Sequence, residues 1–316
     1  MRCLRLWEHI KEEEDKEMLG KRISYEVADG VISLTFEQGC GKMTVWKDDV
    51  IQVVRPLEGE MFHSKAVEKE RCPMKQVTGT PAAGEFAVTE EADALVIRTA
   101  ALAAKVYDDF YVDFYRASDG VLLCADYRGE REIVNKISPR IKAMLEAEGH
   151  DISGLLKKNY PVQVVKALDG DEKFYGLGDK TGFLNKNGYE FENWNTDNPD
   201  AHTEAFKALY KSIPLLITLK EYGVYGLFFD NTYRSHINLG KEKSDYFYYG
   251  AEDGSLNYYF IGGETMADVI TNYTELTGRT PLPQLWTLGY HQSRWGYENK
   301  EDVRELMEKF RGLAIP

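Results

Sequence analysis

Between Ile23 and Ile261, apolar residues recur at period two in short runs that turn residues keep interrupting. Ile32, Leu34 and Phe36 alternate with polar neighbours, Gly39-Cys40-Gly41 marks a turn, and residues 43–46 and 50–54 flank Lys47-Asp48-Asp49. Residues 95–99, 101–106 and 110–115 continue the pattern, and Asp119-Gly120 supplies the positive φ of a hairpin turn into 121–124. Residues 162–166, 174–179, 215–219, 224–229, 246–249 and 256–261 extend it. Successive side chains of a strand point to opposite faces, so such runs bury one face and pair with neighbours as antiparallel sheets. The expected fold class is mainly β, a large N-terminal antiparallel β-sandwich.

Two interruptions are helical. Ile141, Met144 and Leu145, then Ile152, Leu155 and Leu156, predict two short helices around Gly149-His150-Asp151, an insertion near 136–159. Thr265 is an N-cap with Asp268 in the reach-back position, and Met266, Val269, Ile270, Tyr273 and Leu276 mark one helix face that ends at Gly278. Pro281 and Pro283 then form a stiff linker. Residues 285–290 read as a buried strand, 291–298 as a polar aromatic loop, and the residues after Asn299 as a helix burying Val303, Leu306, Met307 and Phe310. Leu313-Ala314-Ile315 reads as a new strand. A strand, a helix and a strand start make an interrupted βαβ unit, so the chain is expected to stop at the threshold of an α/β domain. The expected division is 1–280 and 281–316, the second part incomplete.

The net charge of −13 is the wrong sign for a phosphate backbone or an anionic membrane surface, so neither nucleic acid nor membrane is an expected partner. Residues 1–20 are charged throughout and no run approaches the ~20 apolar residues of a membrane span. Cys3, Cys40, Cys72 and Cys124 show no metal-ligand spacing, and the six histidines are scattered. No metal or cofactor is expected, and a reducing, cytoplasmic setting with free thiols is. Oligomer formation stays open.

Two loops carry the interesting chemistry. Residues 193–204 gather amides, carboxylates and Trp194. Hydroxyl groups want carboxylate and amide partners, and sugar C–H faces stack on aromatic rings. An Asx-rich structural turn is the alternative reading of the same residues. The second loop, 291–297, follows the expected strand 285–290 at its C-terminal end, where ligands bind in parallel α/β domains, and it presents Trp295. Trp46-Lys47-Asp48-Asp49 reads as a charged turn, and Tyr175 and Asp179 as a structural corner.

FYGLGD at 174–179, YKSIP at 210–214, GLFFDN at 226–231 and PQLWTLGYHQSRWG at 283–296 resemble glycoside hydrolase family 31, which includes α-glucosidases and α-xylosidases. The resemblance spans roughly residues 20–316. It implies a galactose-mutarotase-like sandwich followed by the first βα unit of a truncated (β/α)8 barrel. It also implies retaining hydrolysis by two barrel aspartates ~5–5.5 Å apart. The nucleophile signature Trp-x-Asp-Met is absent from these residues, so no catalytic residue is expected here and the chain alone is expected to be inactive.

The resemblance further implies that Asp197 reaches a sugar pocket from the sandwich and that Trp295 lines its aglycone side, with Trp194 and His202 as weaker members of the same loop. Pro199 stands where relatives sometimes carry a hydroxyl, and Asp179 where they usually carry Glu. The expected ligand is an α-linked gluco-oligosaccharide, and the expected activity is removal of terminal α-linked glucose. Three alternatives are an α-xylosidase of the same family, a non-catalytic carbohydrate-binding sandwich, and a mutarotase. A mutarotase would need a His and Glu/Asp pair within the sandwich, and the sequence offers no convincing set.

Overall fold

A computed structural model describes residues 19–55, 64, 66–67, 86–131, 139–149, 160–293 and 295–315. Cys3, Cys72, the second helix expected in the insertion and Arg294 lie outside these residues. The chain divides into two compact units, Met1–Gly278 and Arg279–Pro316.

Among the described residues, the first unit holds three sheets whose strand pairs are all antiparallel. An eight-stranded sheet runs β1 (Arg22–Ala28), β2 (Val31–Phe36), β3 (Gly39–Lys47), β4 (Val50–Arg55), β17 (Leu256–Gly263), β14 (Gly223–Phe229), β13 (Ser212–Lys220), β11 (Lys173–Gly178). A five-stranded sheet holds β5 (Ala87–Glu90), β6 (Leu95–Arg98), β7 (Leu102–Val106), β8 (Val112–Arg116) and β9 (Leu122–Cys124) in order. A four-stranded sheet runs β10 (Val162–Ala167), β16 (Tyr246–Ala251), β15 (Ser235–Leu239), β12 (Glu190–Asn193).

Alternation sets the core. In β2, Ile32, Leu34 and Phe36 are buried while Ser33 and Thr35 are exposed. β14 and β17 are buried on both faces. Tyr225, Leu227, Phe229, Tyr258 and Phe260 fill the interior between sheets, while Val224, Phe228, Tyr259 and Ile261 pack under α2 (Met266–Thr277). Thr265 caps α2 in a complete capping box with Asp268. Val269 and Leu276 are its buried apolar residues, whereas Ile270 is 47% exposed and faces away from the sheet.

The charged turn 47–49 holds this helix. Lys47 Nζ donates to Asn272 Oδ1 at 2.7 Å, and Asn272 Nδ2 donates to Asp49 Oδ2 at 2.7 Å. Inside the sandwich, Lys166 is fully buried and pairs with Asp126 at 2.8 Å while donating to Tyr258 Oη at 3.1 Å. Burial, the strongest single influence, lowers the ammonium's pKa, but the Asp126 carboxylate together with Tyr258 and Cys124 outweighs it and the net shift is upward. Of the insertion, α1 (Pro139–Ala147) is formed, with Ile141 and Met144 largely exposed.

The second unit differs from expectation. Residues 285–290 are not a buried strand. Leu285–Leu288 is a 3₁₀ turn, with Leu285, Trp286 and Leu288 exposed. A strand needs a neighbour for its backbone groups, and none is present among the described residues of this unit, so the amides turn inward: Thr287 N–H donates to Gln284 O and Gly289 N–H to Trp286 O. α3 (Lys300–Gly312) does form, with Asn299 Oδ1 accepting from Asp302 N–H at 3.0 Å. Its apolar stripe is not buried; Tyr290 stacks against it, on Phe310 at 5.4 Å. No strand begins at Leu313, whose N–H instead caps the helix on Lys309 O.

Candidate functional site

The 193–204 loop connects β12 to β13, and its position is fixed from below. Gly176 and Gly178 sit at φ +104° and +80°, where β11 bulges against β13, and a Cβ on either would meet the Leu215 or Lys211 carbonyl at 2.4 or 2.5 Å. That bulge seats Asp179 N–H on Lys211 O at 2.9 Å, so Asp179 is a corner of the framework. Lys180, one residue on, donates to Glu192 O at 2.7 Å, and burial lowers its pKa to about 8. Sequence reasoning missed this lysine, since nothing local marks it as buried.

Above this base the loop is tied by its own asparagines. Asn195 Oδ1 accepts from Ser212 N–H at 2.8 Å, and Thr196 N–H donates to Leu209 O at 2.9 Å. Asn198 Oδ1 accepts from Asp200 N–H at 3.1 Å. The Asn198 carbonyl is gripped twice, by Tyr210 Oη–H at 3.0 Å and by His202 Nε2 at 3.1 Å, and the His202 ring packs on Tyr210 and Phe206. The turn reading therefore holds for Asn195 and Asn198, and His202 acts here as a brace. Asp197 is different. It is exposed, and among the described residues no hydrogen bond or ion pair engages its carboxylate. Trp194, half exposed, stands at the start of the loop.

Trp295 belongs to the second unit and is fully exposed. The only grouped carboxylates at metal-ligand spacing among the described residues are Asp169, Asp171 and Glu172. They serve their own loop: Asp169 pairs with Lys220, Glu172 accepts from the amides of Asp169 and Gly170, and Asp171 accepts from Glu221 N–H.

The structure also brings together a His–Glu pair that the sequence hid, His236 and Glu190, 3.5 Å apart. Glu190 is committed. Its hydrogen bond to His236 and its pairs with Lys207 (2.9 Å) and Lys241 (3.2 Å) outweigh burial and hold its carboxyl well below the usual range. The His236 ring stacks on the rings of Tyr160 and Tyr248. The pair is structural.

The layered antiparallel sheets and the braced, carboxylate-bearing loop define a β-sandwich domain. Residues 41–238 match the glycosyl hydrolase 31 N-terminal galactose mutarotase-like domain, and residues 280–316 match the glycosyl hydrolases family 31 TIM-barrel domain. The chain belongs to glycoside hydrolase family 31. It is 43% identical over 151 residues to α-glucosidase 2 of Bacillus thermoamyloliquefaciens, covering 48% of this chain and 19% of that one. It is 39% identical over 119 residues to an α-xylosidase of Lactiplantibacillus pentosus, covering 38% and 15%. A Flavobacterium johnsoniae GH31 dextranase, solved with isomaltotriose, superposes with a TM-score of 0.74 at 28% identity, covering 95% of this chain and 33% of that one. These matches thus span about a fifth of the curated relatives' length and a third of the dextranase's.

Proposed function

We propose that this chain supplies the sandwich, and the opening of the barrel from near residue 281, of a retaining, exo-acting α-glycosidase of the α-glucosidase type. Its substrate is an α-linked gluco-oligosaccharide cut at terminal glucose, in a cytoplasmic setting. In this reading the 194–204 loop lends the pocket Asp197, with Trp194 beside it and His202 holding the loop, and Trp295 lines the aglycone side. The observation that carries it is the Asp197 carboxylate, exposed and, like that of Asp200, unengaged among the described residues, on a loop whose amide and imidazole side chains are tied down. A carboxylate so held can accept two hydroxyl protons of a sugar, each bond charge-assisted.

The similar relatives include both an α-glucosidase and an α-xylosidase, so substrate choice has a second reading. Joined to a complete family 31 barrel, this sandwich should support turnover of an aryl α-glucoside faster than of an aryl α-xyloside. The reverse preference would favour the xylosidase reading, and turnover of neither would contradict both. Residues 1–316 alone should release no sugar from the glucoside above a mock preparation, and release would contradict the assignment of the chemistry to other residues.

A further inference from the structure

Five Asp-Gly or Asn-Gly pairs occur in the chain, at 29–30, 119–120, 169–170, 187–188 and 253–254. Such a pair can close on itself. The glycine nitrogen attacks the side-chain carbonyl carbon of the residue before it, and the missing Cβ leaves that nitrogen unshielded. In a folded chain the outcome depends on where the glycine N–H is held.

Three of the five are held away from the reaction. Gly120 N–H donates to Arg116 O at 2.9 Å, Gly170 N–H to Glu172 Oε2 at 2.9 Å, and Gly188 N–H to Leu239 O at 2.7 Å. Asp29-Gly30 is the two-residue turn of the β1–β2 hairpin, closed by the Ala28–Val31 pair. Asp253-Gly254, in the turn between β16 and β17, differs. Gly254 N–H donates to Oδ1 of Asp253 itself at 2.7 Å, so the nitrogen and the carboxyl group it would attack are already in contact. Asp253 is exposed, and water reaches it.

The turn around this contact is fixed. Asn231 Nδ2 donates to the carbonyls of Asp253 at 2.9 Å and Ser255 at 3.2 Å, one on each side of Gly254. Asn231 Oδ1 accepts from Tyr233 N–H at 2.8 Å. Gly254 sits at φ +84°, and a Cβ there would meet Asn231 Nδ2 at 2.9 Å and the Tyr233 ring at 3.0 Å, so only glycine fits. Holding two reacting groups in contact removes an entropic part of the barrier to their reaction.

We propose that Asp253-Gly254 is a site of self-modification, at which the chain cyclises to a succinimide and reopens as isoaspartate. The bond from Gly254 N to Asp253 Cγ forms, and the Cγ–OH bond of the carboxylic acid breaks. The hydroxyl leaves with the amide proton as water. A second water then opens the ring. Opening at Cγ restores aspartate, whereas opening at the backbone carbonyl carbon of Asp253 leaves the main chain running through the former side chain. Water is the only co-reactant. Isoaspartate adds one methylene to the main chain before Gly254 and turns the Asp253 carbonyl into a free carboxylate. Asn231 then loses the paired carbonyls that orient it, and its hold on Tyr233 N–H loosens.

The test is isoaspartate mapping of the 1–316 chain by electron-transfer fragmentation after warm incubation at neutral pH, once folded and once in urea. In the folded chain residue 253 should carry roughly tenfold more isoaspartate than residues 29, 119 or 169. In urea, where every turn is released, the four should converge. Equal yields in the folded chain would overturn the proposal. So would a lead at 253 that urea leaves unchanged, since that would be a property of the local sequence alone. Asp253→Asn should convert faster, because ammonia leaves from the amide without acid, and no faster conversion would overturn the proposal. Asp253→Glu should give no product there, because its ring is one atom larger, and product at that position would overturn it. Retained amide dispersion shows that each variant folds. In the converted chain the Tyr233 amide should exchange its hydrogen faster than in the fresh chain. Unchanged exchange would overturn the coupling through Asn231.

Discussion

Asp230 and Glu190 respond to pH in opposite directions. Burial raises the Asp230 carboxyl from 3.8 to about 6, with only the Ser64 hydroxyl opposing it. Between those values the unfolded chain has lost the proton and the folded chain has kept it. The group therefore subtracts stability as pH rises through the window, on the order of 2–3 kcal/mol by neutrality. Asp230→Asn should raise neutral-pH stability by a large part of that amount, with the difference fading toward pH ~4. Urea unfolding at both ends of the window checks this, and a pH-independent difference would refute it. Glu190, held low by His236 and the lysines, contributes stability at neutral pH that is lost as pH falls below its ordinary 4.5. The Lys166–Asp126 pair sets a third test. Lys166→Met leaves a buried carboxylate without its cation and should cost about 3–5 kcal/mol in the same unfolding measurement.

At the scale of elements, helix α2 hangs on its first turn and on the 47–49 turn. Thr265→Ala removes one half of the capping box and should cost about 1 kcal/mol, seen as a lower urea midpoint with unchanged slope. A cap is readable in a sequence because its partners lie within four residues, and α2 and α3 both begin where Thr265 and Asn299 indicate. Half-buried strands such as β2 were legible for the same reason. β12 and β15 were not, because Glu190, Glu192, Ser235 and His236 are polar residues satisfied by partners distant in sequence. The strand expected at 285–290 failed in the other direction. Its apolar residues fit a strand, but a strand is a property of a pair, and here the pairing groups are closed locally. Of the candidate site, family motifs and composition singled out the 193–204 loop in the sequence. The cleft lined by Ala66 and by residues 193–195, 212–214, 228–233 and 273 was not legible there, since these residues meet only in three dimensions.

At the scale of the molecule, the sandwich is a stiff frame whose loop between β12 and β13 is braced from several sides, while the second unit keeps an apolar helix stripe exposed. A frame of that kind suits a supporting role in which a carboxylate must be presented at a fixed place, and loops on rigid scaffolds commonly carry such groups. The most direct measurement is kcat/KM for an aryl α-glucoside in a full-length family 31 enzyme carrying this sandwich, for the parent, Asp197→Ala and Asp200→Ala. Loss of a charge-assisted contact of roughly 1.5–3 kcal/mol predicts a fall on the order of 10- to 100-fold for Asp197→Ala, with Asp200→Ala near the parent. Parent-like kinetics in Asp197→Ala would contradict the account and return that residue to the turn.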